Sequence, residues 1–135
     1  MEKQIILLIS DMRQVYLAEI LTKRGNRVRC LDIRNQDTIK EQLSKLKVFL
    51  NEADVLILPI PVSKGMDEAN LNEILNKNVK NETLVMGGCF SEEQQKILND
   101  RGIGYLDFME DAVVTEENAV ATAEGALAEL IRNCP

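Results

Sequence analysis

A chain of 135 residues with 45% hydrophobic and 28% charged residues is long enough to bury the core of one domain, predicted over residues 1–135. Its net charge of −6 argues against nucleic-acid binding through a basic surface, which needs clustered Lys and Arg facing phosphates. The sequence contains no His. This excludes His-dependent acid–base catalysis, Ser–His–Asp and Cys–His nucleophiles, and most catalytic zinc sites.

The three cysteines, Cys30, Cys89 and Cys134, are widely spaced and odd in number, so they form neither a metal-binding knuckle nor a closed set of disulfides. Reduced thiols in a cytoplasmic protein are the simplest interpretation. The apolar run near the N-terminus is too short for a signal peptide or a membrane span. We therefore expect a cytoplasmic location, no membrane contact and no metal site.

Strand and helix patterns alternate along the chain. Continuous apolar or β-branched runs predict strands that are buried on both faces, and helices are predicted from apolar stripes and from cap-like pairs three residues apart. The predicted cap pairs are Asp11 with Gln14, Thr38 with Glu41, Asn70 with Glu73, and Ser91 with Gln94. In chain order, the predicted elements are strand 5–9, helix 12–23, strand 27–32, helix 38–50, strand 55–58, helix 70–77, strand 83–86, helix 91–100, strand 104–108 and helix 119–132.

This alternation predicts an α/β fold: a doubly wound, mainly parallel five-stranded sheet, flavodoxin-like or Rossmann-like, with helices on both faces. In such sheets ligands bind outside the carboxyl ends of the strands. Functional side chains are therefore expected in the loops that follow the strands, which are residues 10–14, 32–37, 59–66, 87–91 and 108–118.

The first of these loops contains Asp11, which could be a plain helix cap, and Arg13. A cation in the first turn of a helix opposes the positive end of the helix dipole. Arg13 is therefore either an ordinary exposed side chain or a planar donor fork for a carboxylate ligand that arrives at this helix end.

The third loop places two prolines, Pro59 and Pro61, before Ser63, Lys64 and Gly65. The prolines fix an extended backbone, and the polar groups after them suit either a small anion site or an ordinary surface turn. In the fourth loop, Gly87 and Gly88 would allow a close backbone approach. Cys89 beside them is interpreted as a packed, inert thiol, and a free-standing thiol enzyme is the weaker alternative.

Other folds of this class make specific demands on the same loops. A phospho-receiver domain needs an acidic residue at the end of the third strand, where this chain has Pro59, and a Lys after the fifth strand. A flavodoxin needs a hydroxyl- and glycine-rich phosphate loop after the first strand, which Ser10 to Gln14 does not provide. The motifs G-x-G-x-x-G and G-x-x-x-x-G-K-[ST] are also absent from the sequence.

Taken in order, three segments resemble the N-terminal domain of the A-type subunit of dipicolinate synthase. They are Asp11-Met12-Arg13-Gln14, then Leu58-Pro59-Ile60-Pro61-Val62-Ser63-Lys64-Gly65, and finally Asn118 with Thr122-Ala123-Glu124-Gly125. The resemblance implies a flavodoxin-like domain followed by a Rossmann domain that binds NADP, with the active site in the cleft between them. It also implies that the enzyme works with a flavoprotein-like B-type subunit of dipicolinate synthase and makes dipicolinate from dihydrodipicolinate during spore formation.

By this resemblance, six side chains would face the cleft and bind a small dicarboxylate substrate. Arg13 or Lys64 would hold a carboxylate, and Ser63 and Thr122 would donate hydrogen bonds. The full set is Asp11, Arg13, Ser63, Lys64, Asn118 and Thr122.

Hydride transfer needs a cofactor held against the substrate, and no segment of this sequence is suited to hold one. We therefore expect a substrate-side domain that binds no cofactor and is inactive alone. It is either an excised domain, which we favour, or a naturally short protein that kept a binding role. The alternative is a non-enzymatic regulatory or protein-interaction module of the same fold. In that case the final helix would expose an apolar stripe from Val120 to Leu130 and the protein could form a homo-oligomer.

Overall fold

A computed structural model describes residues 3–107 of the chain. Within this range the elements alternate along the chain, as the sequence predicts. The strands are β1 (Gln4–Ile9), β2 (Arg27–Asp32), β3 (Val55–Ile57), β4 (Leu84–Gly87) and β5 (Tyr105–Asp107), and the helices are α1 (Met12–Lys23), α2 (Ile39–Phe49), α3 (Glu68–Lys77) and α4 (Glu92–Arg101). The predicted final helix, 119–132, lies outside the described residues.

The described strands form one sheet in the order β2-β1-β3-β4-β5, and every pair of neighbours is parallel. β1 lies inside the sheet, with Ile9 opposite Asp32 of β2 and Leu7 opposite Ile57 of β3. The chain moves outward from β1 to β2 and then returns to the other side of β1 at β3. The change of direction between β1 and β3 creates the switch point at which doubly wound sheets bind their ligands.

Helices cover both faces of the described sheet, which confirms the predicted fold class. Alternate residues of β1 point to opposite faces, so Ile5, Leu7 and Ile9 pack with Ala18 and Leu21 of α1. On the other face, the core lies between the sheet and the helices α2, α3 and α4. Its helical members are Leu46, Leu71, Ile74, Leu75 and Leu98. Among residues 3–107, no helix has both the length and the apolar character that crossing a membrane requires.

Two of the four predicted helix caps form as expected. Asp11 with Gln14 and Ser91 with Gln94 make complete capping boxes, in which each side chain binds the backbone of the other residue. The box is a local motif, so the sequence is sufficient to find it.

The other two predicted cap pairs do not form: Thr38 occupies the N-cap position of α2 without a side-chain capping bond, and Asp67 caps α3 in place of Asn70. Thr38 makes no capping bond; its hydroxyl donates to the carbonyl of Asn35, whose side chain caps a short 3₁₀ turn, Gln36–Thr38, that precedes α2. α3 begins at Glu68 because the carboxylate of Asp67 accepts from the amide of Asn70 at 2.7 Å. Asn70 is therefore inside the helix and does not cap it.

The loop after β3 lies against the end of β4. The amide of Val62 donates to the carbonyl of Gly88 at 2.8 Å. A Cβ on Gly87 would lie 2.6 Å from Cγ1 of Val62 and 3.2 Å from Cβ of Leu58. Gly87 is thus required by the close approach of this loop, as the sequence suggested for the Gly87-Gly88 pair.

We expect Gly87→Ala to lower the free energy of unfolding by about 1–3 kcal/mol, the usual cost of overpacking a filled site. Gly104→Ala is the matched control, because its Cβ would find Leu84 at an ordinary 3.9 Å. Urea unfolding of both variants measures the difference. Equal unfolding midpoints for the two would contradict the packing seen at Gly87.

Candidate functional site

The loops that follow the strands meet at one edge of the sheet, because all the described strands run in the same direction. β1 and β3 are neighbours there, so the corner at Ser10 and Asp11 faces the loop 58–66. We call the polar surface formed by Asp11, Arg13 and Lys64 the β1–β3 rim. It lies at the switch point of the sheet.

The corner after β1 is held by its own side chains. The carboxylate of Asp11 accepts from the amide of Arg13 at 2.8 Å. The buried side-chain oxygen of Gln14 accepts from the amides of Asp11, at 2.8 Å, and of Ser10, at 3.1 Å. The backbone amides at this turn therefore have side-chain partners, and the position of the Asp11 carboxylate is fixed relative to β1.

Asp11 also joins two loops that are far apart in the sequence. Its carboxylate accepts from Nη2 of Arg13 at 2.9 Å and from Nε at 3.2 Å, so the guanidinium binds it through two nitrogens. It also accepts from Nζ of Lys64 at 3.1 Å, across 53 positions of sequence. Nη2 of Arg13 reaches the carbonyl of Ile60 at 3.4 Å.

Two cations therefore share one carboxylate, which leaves one positive charge in excess at the β1–β3 rim. Hydrogen bonds from the Arg13 side chain hold the pKa of Asp11 well below its ordinary value, and the bond from Lys64 adds to the effect. In turn, Asp11 raises the pKa of Arg13. The side chains of Arg13 and Lys64 remain 65% and 45% exposed, so both can be reached from solvent.

The structure brings together three of the six predicted site residues: Asp11, Arg13 and Lys64. Ser63 is exposed in the turn beside Lys64, where its carbonyl accepts from the amide of Met66 at 3.4 Å. Asn118 and Thr122 lie outside the described residues. The ligand-binding role of the set stays a prediction.

A second Asp-x-Arg corner at the end of β2 has no counterpart among the predicted site residues. Asp32 accepts from the amide of Arg34 at 2.9 Å and from Nη2 at 2.6 Å, as Asp11 does from Arg13. The guanidinium of Arg34 lowers the pKa of Asp32. The equal spacing of Asp and Arg near the ends of two neighbouring strands is the sequence pattern that could have revealed it.

At the end of β4, Cys89 differs from the predicted packed thiol. It is exposed, and its backbone is left-handed at φ 62°. The reason lies in the fold of the loop: the amides of Cys89 and Phe90 both donate to the buried carboxylate of Asp107, at 3.2 and 3.0 Å. A carboxylate is not the cationic setting that activates a thiol, so the geometry gives no support to a thiol enzyme.

The corner after β1 is not suited to the pyrophosphate of a dinucleotide. Such a site uses free amides at a helix N-terminus and glycines that let the phosphates approach. Here the amides of Asp11 and Arg13 bind side-chain oxygens, and the cap is itself a carboxylate. The amides that would bind a phosphate are therefore already occupied by side chains.

Residues 10–109 match the family model that describes the N-terminal domain of the A-type subunit of dipicolinate synthase. A search among curated proteins finds no match to the chain.

Two solved structures are similar in fold. One is a variant of the imine reductase from Myxococcus stipitatus in complex with NAD+, with a TM-score of 0.51 and 15% identity, over 79% of this chain and 40% of that chain. The other is a CheY-like response regulator receiver domain protein from Methanospirillum hungatei JF-1, with a TM-score of 0.52 and 18% identity, over 98% of this chain and 99% of that chain. At these identities the similarity shows the fold alone.

The lowered pKa of Asp11 predicts how stability depends on pH. A carboxylate whose pKa is depressed on folding stabilises the fold above its unfolded value, about 3.9, and this contribution is lost as the pH falls through the folded pKa. Asp11→Asn keeps a good helix cap but removes the charge. We therefore expect the variant to be less stable than the wild type at pH 7, with a difference that shrinks below about pH 4.

Asp32→Asn is the control for the local Asp-x-Arg pair, since Asp32 has its own arginine two residues later. Because Asp11 binds Lys64 in addition, Asp11→Asn should cost more at pH 7 than Asp32→Asn. Urea unfolding of the three proteins at pH 7, 5 and 3 tests both points. A loss at Asp11 that is the same at every pH would contradict the assignment.

Proposed function

Because the chain belongs to the family of the N-terminal domain of the A-type subunit of dipicolinate synthase, we propose that it is the substrate-binding half of an oxidoreductase of this type. In this proposal the β1–β3 rim binds a carboxylate of the substrate, a small pyridine-type dicarboxylate. The nucleotide, NADP in the family, is held by a second domain. The chain alone binds its ligand and does not turn it over.

The observation that carries the proposal is the pair of exposed cations at the switch point. Arg13 and Lys64 come from the loops that flank it, and they converge on a single carboxylate at 2.9 and 3.1 Å. Because the two cations already bind the carboxylate of Asp11, they can also bind the carboxylate of a ligand. The exposed hydroxyl of Ser63 lies next to Lys64 in the chain and adds a hydrogen-bond donor.

The poor fit of the first corner to a pyrophosphate supports the assignment of the nucleotide to another domain. Cofactor enzymes need the reactive atoms of cofactor and substrate held against each other. The imine reductase with a similar fold is longer than this chain, which covers 40% of it.

The test is a titration of the 135-residue chain with dipicolinate, followed by amide chemical shifts. We expect weak binding that shifts the amides of Arg13 and Lys64, and no response to NADP. Lys64→Met removes one cation but keeps an aliphatic side chain, and should weaken binding by about fivefold or more, the effect of one unit charge at about 4 Å in water.

Lys77→Met is the matched control, since Lys77 lies in the last turn of α3, at the end opposite its Asp67 cap, where it approaches Glu73 at 4.0 Å. It should leave the affinity unchanged. Two results would refute the proposal that substrate and nucleotide are bound by different domains. One is tight binding of NADP by this chain, and the other is a dipicolinate affinity that Lys64→Met leaves unchanged.

One observation favours the second candidate, a protein-interaction module. Met12, Tyr16 and Ile20 are exposed and recur every four residues along α1, whereas Ala18 and Leu21 of the same helix are buried. Met12 and Ile20 are equally spaced about Tyr16. A second copy of the chain, rotated about a two-fold axis at Tyr16, would therefore set Met12 against Ile20 of the other copy.

If this candidate is correct, light scattering will show a dimer whose population rises with concentration. Tyr16→Lys should abolish the dimer, because it places a charge at the centre of the stripe. Val48→Lys is the control, as Val48 is a 65% exposed apolar residue on α2, away from the stripe. A chain that stays monomeric at millimolar concentration eliminates this candidate.

A further inference from the structure

The Asp11 carboxylate accepts hydrogen bonds from Arg13 and Lys64, so fewer of their donors remain for a ligand. It cannot move away freely, because the amide of Arg13 and the cap geometry of α1 hold it in place. Its depressed pKa means that it stays ionised throughout the neutral range. A ligand at the β1–β3 rim therefore meets two positive charges and one permanent negative charge.

The neighbouring loops add no further positive charge. Within the loops that follow the described strands, the basic residues are Arg13, Arg34 and Lys64. Arg34 is bound to Asp32 at 2.6 Å, so that pair is neutral. Asp37 adds negative charge at the same edge. Among these loops, the β1–β3 rim therefore carries a net positive charge of one. This charge can neutralise one carboxylate of a ligand.

We infer that Asp11 is a built-in counter-ion that limits the β1–β3 rim to one ligand carboxylate. This inference rests on the proposed function, since it assumes that the ligand binds at the rim. Asp11 is then a specificity residue. The rim binds one carboxylate of the ligand, whether the ligand carries one carboxylate or two. The second carboxylate of a dicarboxylate is then recognised outside the described loops.

The sequence of the remaining segment agrees with this inference. Residues 108–131 contain Glu and Asp but neither Lys nor Arg. The only basic residue after Lys96 and Arg101 is Arg132, near the end of the chain. A second cationic group for the ligand is therefore more naturally supplied by a partner domain or a partner protein.

The experiment compares pyridine-2-carboxylate with pyridine-2,6-dicarboxylate, which differ by one carboxylate. Dissociation constants are measured on the 135-residue chain by amide shifts at neutral pH and low ionic strength. We expect the two constants to differ by less than about fivefold, the effect of one unit charge at about 4 Å in water. A dicarboxylate that binds more tightly than this would overturn the inference but leave the proposed function standing.

Asp11→Asn removes the counter-ion and keeps the helix cap. Asp11 also repels the second charge of a dianion, from a greater distance. The variant should therefore shift the ratio of the two constants in favour of the dicarboxylate, by at most about fivefold, the effect of one unit charge at about 4 Å in water. Asp67→Asn is the control: it makes the same change at the cap of α3, where the carboxylate binds Asn70. It should leave the ratio unchanged.

An unchanged ratio in Asp11→Asn would also overturn the inference, again without touching the proposed function. If neither ligand shifts the amides of Arg13 and Lys64 at any concentration, both the proposed function and the inference are refuted. The outcomes are therefore distinguishable in one set of titrations.

Discussion

The contact between the carboxylate of Asp11 and the ammonium of Lys64 links the two strand ends between which the sheet changes direction. Asp11 is fixed to β1 by the cap of α1, and Lys64 comes from the loop after β3, so their contact joins the two loops. The groups are partly exposed, and exposed ion pairs stabilise a fold only slightly. The contact therefore adds little to stability, and its cations remain accessible for the ligand binding that we propose.

The backbone supports the same loop from the other side. Val62 donates to the carbonyl of Gly88, and the close approach at Gly87 leaves no room for a side chain. Beyond it, the buried carboxylate of Asp107 holds the amides of Cys89 and Phe90. The loops after β1, β3 and β4 and the end of β5 thus form one connected surface, in which the backbone of the loop that carries Lys64 lies between the corner after β1 and the end of β4.

Features set by neighbouring residues could be predicted from the sequence, and those set by the fold could not. The apolar runs located the five strands, and the boxes at Asp11 and Ser91 were found because both partners lie within one turn. Thr38 and Asn70 misled the prediction, since a competing cap precedes each of them and only the folded backbone decides between them. Arg13 and Lys64 could each be suspected, but their shared partner could not, because that contact depends on the order of the strands.

Arg13 and Lys64 are not equivalent at the rim, although each supplies one positive charge. The planar guanidinium of Arg13 binds Asp11 through two nitrogens and reaches the carbonyl of Ile60. Its position is therefore defined, but these donors are already used. The ammonium of Lys64 is a point charge on a flexible stem with three donors, and it is 45% exposed. A ligand carboxylate can therefore recruit Lys64 without breaking the cap of α1, whereas recruiting Arg13 would require the Asp11 pair to open. The rim thus combines the Asp11–Arg13 pair, whose position is fixed, with the flexible side chain of Lys64, which can reorient towards a ligand carboxylate.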